Sequence, residues 1–285
     1  MYKGQVVKGL SVREFVLKQG VMRIGLVQLN VTSSKKENLR RTVDAIESAG
    51  GISDLLVFPE YCMGYPDEGL SRNYVEKTAE PLDGEFITLV AEKSKEKQVA
   101  IVMPIFEKPN GGVFDTAVII NHGEVRGGYR KIHLFDALGY KESEYFRPGS
   151  EPALFKIGDT LLGVVICYDI RFPELVKSEV MSGARVIIVP SAWYRGPLKE
   201  EQWQTLLMAR AQENTSYVIG VGNANEAFIG RSMVVDPLGV KVLDLGSGER
   251  IGFYDVDNRR VNEARKKLPV LKQSTDFHSF PCQEL

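Results

Sequence analysis

Apolar, β-rich runs alternate with segments of helical period along most of this chain, and that alternation most limits the folds open to it. MRIGLVQLNV (22–31), DLLVFPE (54–60) and VAIVMPIFEK (99–108) read as strands. Between them, KKENLRRTVDAIESAGG sets Leu39, Val43 and Ile46 on one helical face and stops at Gly50 and Gly51. EFITLVAEKSKEKQ (85–98) places Phe86, Leu89 and Val90 in the same way. Strand–helix–strand–helix–strand favours an α/β fold. The rhythm then changes. The turn signals PNGG and NHGE flank VFDTAVII, and the chain zigzags on through EVRGGYRKIHLF. A second strand–helix section starts near LFKIGDTLLGVVICYD. It continues with a helix from Pro173 to about Met181, a strand RVIIVPSAW (185–193) and a helix EQWQTLLMARAQEN (201–214) that groups Trp203, Leu206, Leu207 and Ala211. SYVIGVGNAN is a further strand, and DPLG (236–239) turns a late hairpin. The two halves share one plan, so a single domain of two packed sheets with helices outside is expected. A TIM barrel would not spend this many residues on hairpins.

Several function classes are excluded early. A formal net charge of −1 gives no overall pull toward nucleic acid or anionic lipid. No run of about 18 apolar residues offers a membrane span. MYKGQVVKGLSVREFVLKQG lacks the long apolar core of a secretory signal. It reads as an extension that Val12, Phe15 and Val16 pin to the body. Three cysteines (Cys62, Cys167, Cys282) do not make a disulfide framework, so a reduced, cytoplasmic setting is expected. The histidines His122, His133 and His278 show no Cys/His spacing of a zinc site.

The chemistry gathers where strands end. In GVVICYDIRFPE (163–174) an apolar run leads straight into Cys167, and Pro173 suits the first turn of the next helix. Ligands of α/β sheets bind at such carboxyl ends. A helix amino end near the sulfur would stabilise a thiolate. The competing reading is an inert core cysteine, among the most buried residue types. A nucleophilic thiol needs a base. His133 in YRKIHLF and Glu60 at the end of DLLVFPE are the two candidates. A carboxylate directly after Val57, Phe58 and Pro59 must be paired or exposed, and a solvated glutamate opening a loop is the plainer alternative. In GGYRKIHLF (127–135), Arg130 and Lys131 point to opposite faces of an extended segment. Either Lys131 turns inward, toward a carboxylate or a developing negative charge, or it lies on the surface of an edge strand.

Together these stretches resemble the nitrilase superfamily of carbon–nitrogen hydrolases: Glu60 in LLVFPEYCMGYP, Lys131 in GGYRKIHLFD and Cys167 in GVVICYDIRFPE, in that order. The resemblance covers residues 22–273 as one hydrolase domain and leaves 1–21 as an N-terminal extension and 274–285 as a C-terminal tail. It places the family's second glutamate on Glu142 in KESEYFRPG, with Glu144 two residues away as the rival assignment. It implies a four-layer αββα sandwich that pairs with a second subunit, and chemistry without metal or cofactor. Glu60 would take the thiol proton of Cys167. Lys131 and the backbone N–H of Tyr168 would hold the oxyanion, and Glu142 would orient Lys131.

The CYDIRFPE form, the PSAW segment and the LPVLKQ ending resemble the ω-amidase and aliphatic amidase branch most. A small ω-amide of a carboxylic acid is therefore the expected substrate, with a carbamoylase, a nitrilase or a non-catalytic binding protein of the same fold as alternatives. Arg171 would grip a substrate carboxylate bidentately, or else pair with Glu174 or Asp169. Trp193, Tyr61 and Tyr65 are the expected pocket walls, and Cys62 packs as a bystander. A papain-like Cys–His hydrolase, with His133 as its base, is the rival mechanism. Val270, Leu271, Phe277 and Phe280 would let the tail pack on a partner subunit.

Overall fold

The computed structural model describes residues 20–275. The extension residues Val12, Phe15 and Val16, and Phe277, His278, Phe280 and Cys282 of the tail, lie outside the described residues.

Two six-stranded sheets carry the fold. In the first, β1 (Val21–Gln28), β2 (Leu55–Val57) and β3 (Ala100–Glu107) run parallel. The antiparallel strands β4 (Phe114–Asn121) and β5 (Glu124–Arg130) extend one side. In the second, β6 (Leu154–Ile157) pairs antiparallel with β7 (Thr160–Val164), which runs parallel to β8 (Val186–Ser191) and β9 (Tyr217–Gly222). The antiparallel β10 (Met233–Val235) and β11 (Lys241–Asp244) complete it. Finally β12 (Arg250–Asp257) returns to the first sheet and pairs antiparallel with β1. Both sheets thus read one antiparallel strand, three parallel strands, then two antiparallel strands. The shared plan of the halves is real, with the chain's last strand closing the first half.

Period-two patterning explains the layers. Along β2, Leu55 and Val57 enter the core between the sheets, while Leu56 faces the helices α1 (Lys35–Ala49) and α3 (Glu85–Lys97). Along β3, Ala100 and Val102 face inward, and Ile101 and Met103 face those helices. On the far side, Leu175, Val176 and Val180 of α4 (Pro173–Met181) and Trp203, Leu207 and Ala211 of α5 (Lys199–Asn214) cover the second sheet. The architecture is an α/β, four-layer αββα sandwich. Among the described residues, no helix is long and apolar enough to cross a membrane.

Some elements differ from expectation. The buried stripe of α1 is Asn38, Thr42, Ala45, Ile46 and Ala49, and Leu39 and Val43 are only half-buried. Asn38 draws the face round because its amide bonds both the N–H and the C=O of Thr32. The short helix α2 (Arg72–Thr78) was not anticipated, and neither were β12 and α6 (Asn258–Lys267). In α6 only Val261 and Ala264 are buried among charged residues, too few for a visible apolar stripe.

Gly222 ends β9 with its backbone against the chain returning at Gly230. A Cβ there would lie 1.8 Å from the Gly230 carbonyl oxygen, and backbone cannot yield as a side-chain tip can. Gly222→Ala is expected to cost about 3 kcal/mol of stability, read as a lowered urea midpoint. An unchanged midpoint would show that the two segments are not held together here.

Candidate active site

Beyond β5 the chain stays extended for one more residue. The N–H of Lys131 donates to the Asp115 carbonyl (2.9 Å), and its carbonyl accepts from Gly149 N–H (2.8 Å). Arg130 turns outward onto Glu107 (2.8 and 2.7 Å). Lys131 turns inward and is 1% exposed, so the edge-strand surface position does not hold. An ammonium so deeply buried needs compensation. It finds Glu60 Oε1 at 2.8 Å and Glu142 at 2.8–2.9 Å, and both glutamates are buried. Burial alone would lower the lysine's pKa, but Glu142 and Glu60 outweigh it and hold the side chain firmly protonated. Glu60, three residues past β2, is not a solvated loop residue. Its other oxygen accepts the Ala192 N–H at 2.6 Å from the second sheet. Its carbonyl accepts from the Asn223 side chain at 3.2 Å. Glu142 also accepts the Phe135 N–H (2.7 Å) and the Tyr61 hydroxyl. Glu144 points away, on an exposed pairing with Lys141.

Cys167 leaves β7 in the left-handed region (φ 45°) and opens a short 3-10 turn, Cys167–Arg171. Tyr61, just after Glu60, is left-handed as well (φ 63°). Such conformations are costly for side-chain-bearing residues and persist where the surroundings impose them. At Cys167 the clamp is Asp169. Its buried carboxylate accepts from Ile166 N–H (3.0 Å), the Tyr129 hydroxyl (2.7 Å) and His133 N–H (2.8 Å). The sulfur is set among Glu60, Lys131, Ser191 and Glu142. Burial, and then the charge of Glu60, push its thiol pKa well above the ordinary range, and Lys131 only partly opposes them. The expected thiolate at a helix end is therefore corrected: the carboxylates beside the sulfur favour the neutral thiol, and α4 starts only at Pro173, beyond the intervening turn.

His133 is not among the groups set around the sulfur. Its Nδ1 lies 2.8 Å from Asp169, and its ring stacks at 3.5 Å on Phe172. Cys62 is buried and bonds the Pro59 carbonyl, away from the sulfur's neighbours.

The sulfur opens on a narrow pocket with about 20 Å³ of free volume, walled by Tyr61, Tyr168, Arg171 and Trp193 among others. Wider surface clefts, such as one of about 450 Å³ beside Glu107 and Arg130, hold none of these groups. Tyr65 is not a wall. It lies one layer back, its ring 4.6 Å from Phe228 and its hydroxyl 3.3 Å from that of Tyr194. Arg171 pairs with neither Glu174 nor Asp169. It donates to Gln202 (2.9 Å) and lies 4.8 Å over the Trp193 ring. Phe135, Tyr194 and Lys199 complete the walls, and Asp115 lies 3.9 Å from the Lys131 ammonium. Sequence reasoning named none of these. The inward register of VFDTAVII, shared with Ala117 and Ile119, was the available signal for Asp115.

The comparisons agree with this geometry. The family model described as carbon-nitrogen hydrolase matches residues 23–266. The deaminated glutathione amidase of Escherichia coli O157:H7 is 32% identical over 253 residues, covering 88% of this chain and 96% of that protein. The omega-amidase NIT2 of Mus musculus is 31% identical over 266 residues, covering 88% and 94%. The crystal structure of Saccharomyces cerevisiae Nit3, a member of branch 10 of the nitrilase superfamily, superposes with a TM-score of 0.79 at 28% identity, covering 89% of this chain and 96% of that one. An α/β sandwich that buries Glu60, Lys131 and Cys167 together, with relatives of this kind along nearly its whole length, is an amidase-type hydrolase: the chain belongs to the carbon-nitrogen hydrolase family of the nitrilase superfamily.

Proposed function

We propose that the enzyme hydrolyses a small ω-amide of a carboxylic acid through a thioester on Cys167, releasing ammonia. The observation that carries this reading is the buried Glu60–Lys131 pair beside the sulfur. It sets a base and a permanent cation at one reacting carbon. Glu60 takes the Sγ proton as sulfur bonds to the amide carbon. The carbonyl oxygen becomes an oxyanion, stabilised by Lys131 and the Tyr168 N–H. Glu60 then passes the proton to nitrogen, the C–N bond breaks and ammonia leaves. Water gives a proton to Glu60 as it attacks the thioester, and the acid departs as Sγ regains that proton. Glu142 keeps the Lys131 ammonium in place throughout. Arg171, lacking a carboxylate partner among the described residues and mounted on Trp193, takes the substrate's carboxylate. The names of the amidase relatives support an amide substrate. The narrow pocket supports a small acyl group. A homodimer and a cytoplasmic setting, with its reduced thiols, complete the reading.

Cys167→Ala is expected to abolish ammonia release from ω-amides, and mass spectrometry with a slow substrate should find the acyl adduct on Cys167. Glu60→Gln removes the base but also removes a like charge from beside the sulfur. Amide turnover should fall about 10²–10⁴-fold. Alkylation of Cys167 by iodoacetamide should nevertheless set in at lower pH than in the parent. An active Cys167→Ala enzyme, or full turnover by Glu60→Gln, would overturn the mechanism.

Asp115 supplies a pH prediction. Its carboxyl is fully buried 3.9 Å from the Lys131 ammonium, and burial together with Glu60 raises its pKa well above the usual range. The native state therefore prefers it protonated. Its contribution is complete below the unfolded pKa and is lost as pH rises through the raised native one. Asn cannot titrate, so the stability of Asp115→Asn relative to the parent should increase between about pH 5 and about pH 8. Urea midpoints at the two pH values check this, and a decrease would contradict it.

A further inference from the structure

The pocket wall carries a second cation that the mechanism does not use. Lys199 is the first residue of α5, and its ammonium lies 5.8 Å over the Trp193 ring and 5.7 Å over Phe135. Arg171 reaches the same Trp193 from the turn after β7. The two positive side chains thus converge on one aromatic platform beside Cys167, and all four residues line the pocket.

Among the described residues no carboxylate within ion-pairing distance offsets this convergence. Arg171 is held by the neutral Gln202, and the adjacent Glu200 is committed to Arg231. A lysine at the first position of a helix is also on the wrong side of the helix dipole, where acidic residues are favoured. Partial burial and the charge of Arg171 both work against the Lys199 ammonium. Its backbone, by contrast, is fastened. Leu198 before it takes a left-handed conformation (φ 59°), and the Lys199 carbonyl accepts the Trp193 indole N–H at 3.0 Å. Two neighbouring cations on a fastened frame, neither with a carboxylate partner among the described residues, form half of an anion site.

We infer that Lys199 is a specificity-determining residue, acting with Arg171 to hold one carboxylate at the far end of the acyl group. This rests on the ω-amide reading and narrows it: the two oxygens of a single carboxylate bridge guanidinium and ammonium, so the amide carbon is delivered to Cys167 by an anionic handle at a set distance. The Trp193 and Phe135 faces supply the apolar walls for the short methylene linker.

The test compares ammonia release from succinamate with that from butyramide, which matches it in length but lacks the charge, in Lys199→Gln, Lys199→Arg and Arg171→Gln enzymes. Lys199→Gln should raise KM for succinamate about tenfold more than for butyramide, with kcat little altered, and Lys199→Arg should recover most of the loss. In parallel, succinate should protect Cys167 of the parent from iodoacetamide, and Lys199→Gln should lose that protection. Equal losses on both amides in Lys199→Gln would assign Lys199 to starting α5 and overturn the inference. If Arg171→Gln abolishes the preference for succinamate while Lys199→Gln keeps it in full, the Lys199 inference fails while the ω-amide reading stands. If the parent neither prefers succinamate nor is protected by succinate, the carboxylate reading itself falls.

Discussion

Burying one ammonium organises this molecule. The Lys131 side chain has almost no contact with solvent, and an uncompensated charge there would cost several kcal/mol. Two carboxylates from separate segments answer it, Glu60 after β2 and Glu142 in the loop beyond β5. Neither glutamate is free to move, because each is also held by a backbone N–H, and Glu142 by the Tyr61 hydroxyl as well. Glu60 takes the Ala192 N–H and Glu142 takes the Phe135 N–H. The charged cluster therefore positions chain as well as chemistry. Removing any one member would leave a buried charge less fully compensated, which is more damaging than never having buried it.

The twin-sheet plan explains why these segments meet. Glu60 follows β2 and Ala192 follows β8, the corresponding central parallel strands of the two halves. The hydrogen bond between them ties the sheets together at their carboxyl ends. Asp169 makes a second tie, joining the Cys167 turn of one sheet to Tyr129 and His133 at the end of β5 in the other. The left-handed turn at Cys167 is thus anchored from the opposite sheet, and its position relative to Lys131 depends on the packing between sheets rather than on either sheet alone.

The layers and the reactive trio were legible because they rest on local rules. Apolar runs with period two or near-continuous burial mark β1, β2, β3 and β8, and an abrupt break after such a run marks the site at Glu60 beyond β2 and Cys167 beyond β7. What the sequence hid is what depends on distant partners. The β12 segment alternates weakly, with exposed Arg250 and Phe253, and becomes a strand because β1 offers a free edge. Asp169 reads as one more polar turn residue until Tyr129 and His133 arrive from forty residues upstream. The orientation of Arg171 was open because local ion pairs with Glu174 or Asp169 were equally available on paper. Three-dimensional demand for Asp169 elsewhere removed one of them.

The charge pattern also decides when the sulfur becomes reactive. Burial, and then the charge of Glu60, favour the protonated thiol at Cys167. In the proposed reaction, transfer of the thiol proton to Glu60 would remove the carboxylate's charge as the sulfur attacks, and the negative charge would move on to the carbonyl oxygen, within the field of Lys131. A neutral thiol is spared the unproductive chemistry of a standing thiolate. Glu60 raises the cost of ionising the sulfur, and in the proposed reaction Lys131 would lower the cost of the charged transition state. Stability and catalysis thus draw on one electrostatic arrangement, which is why it can tolerate burial as deep as it does.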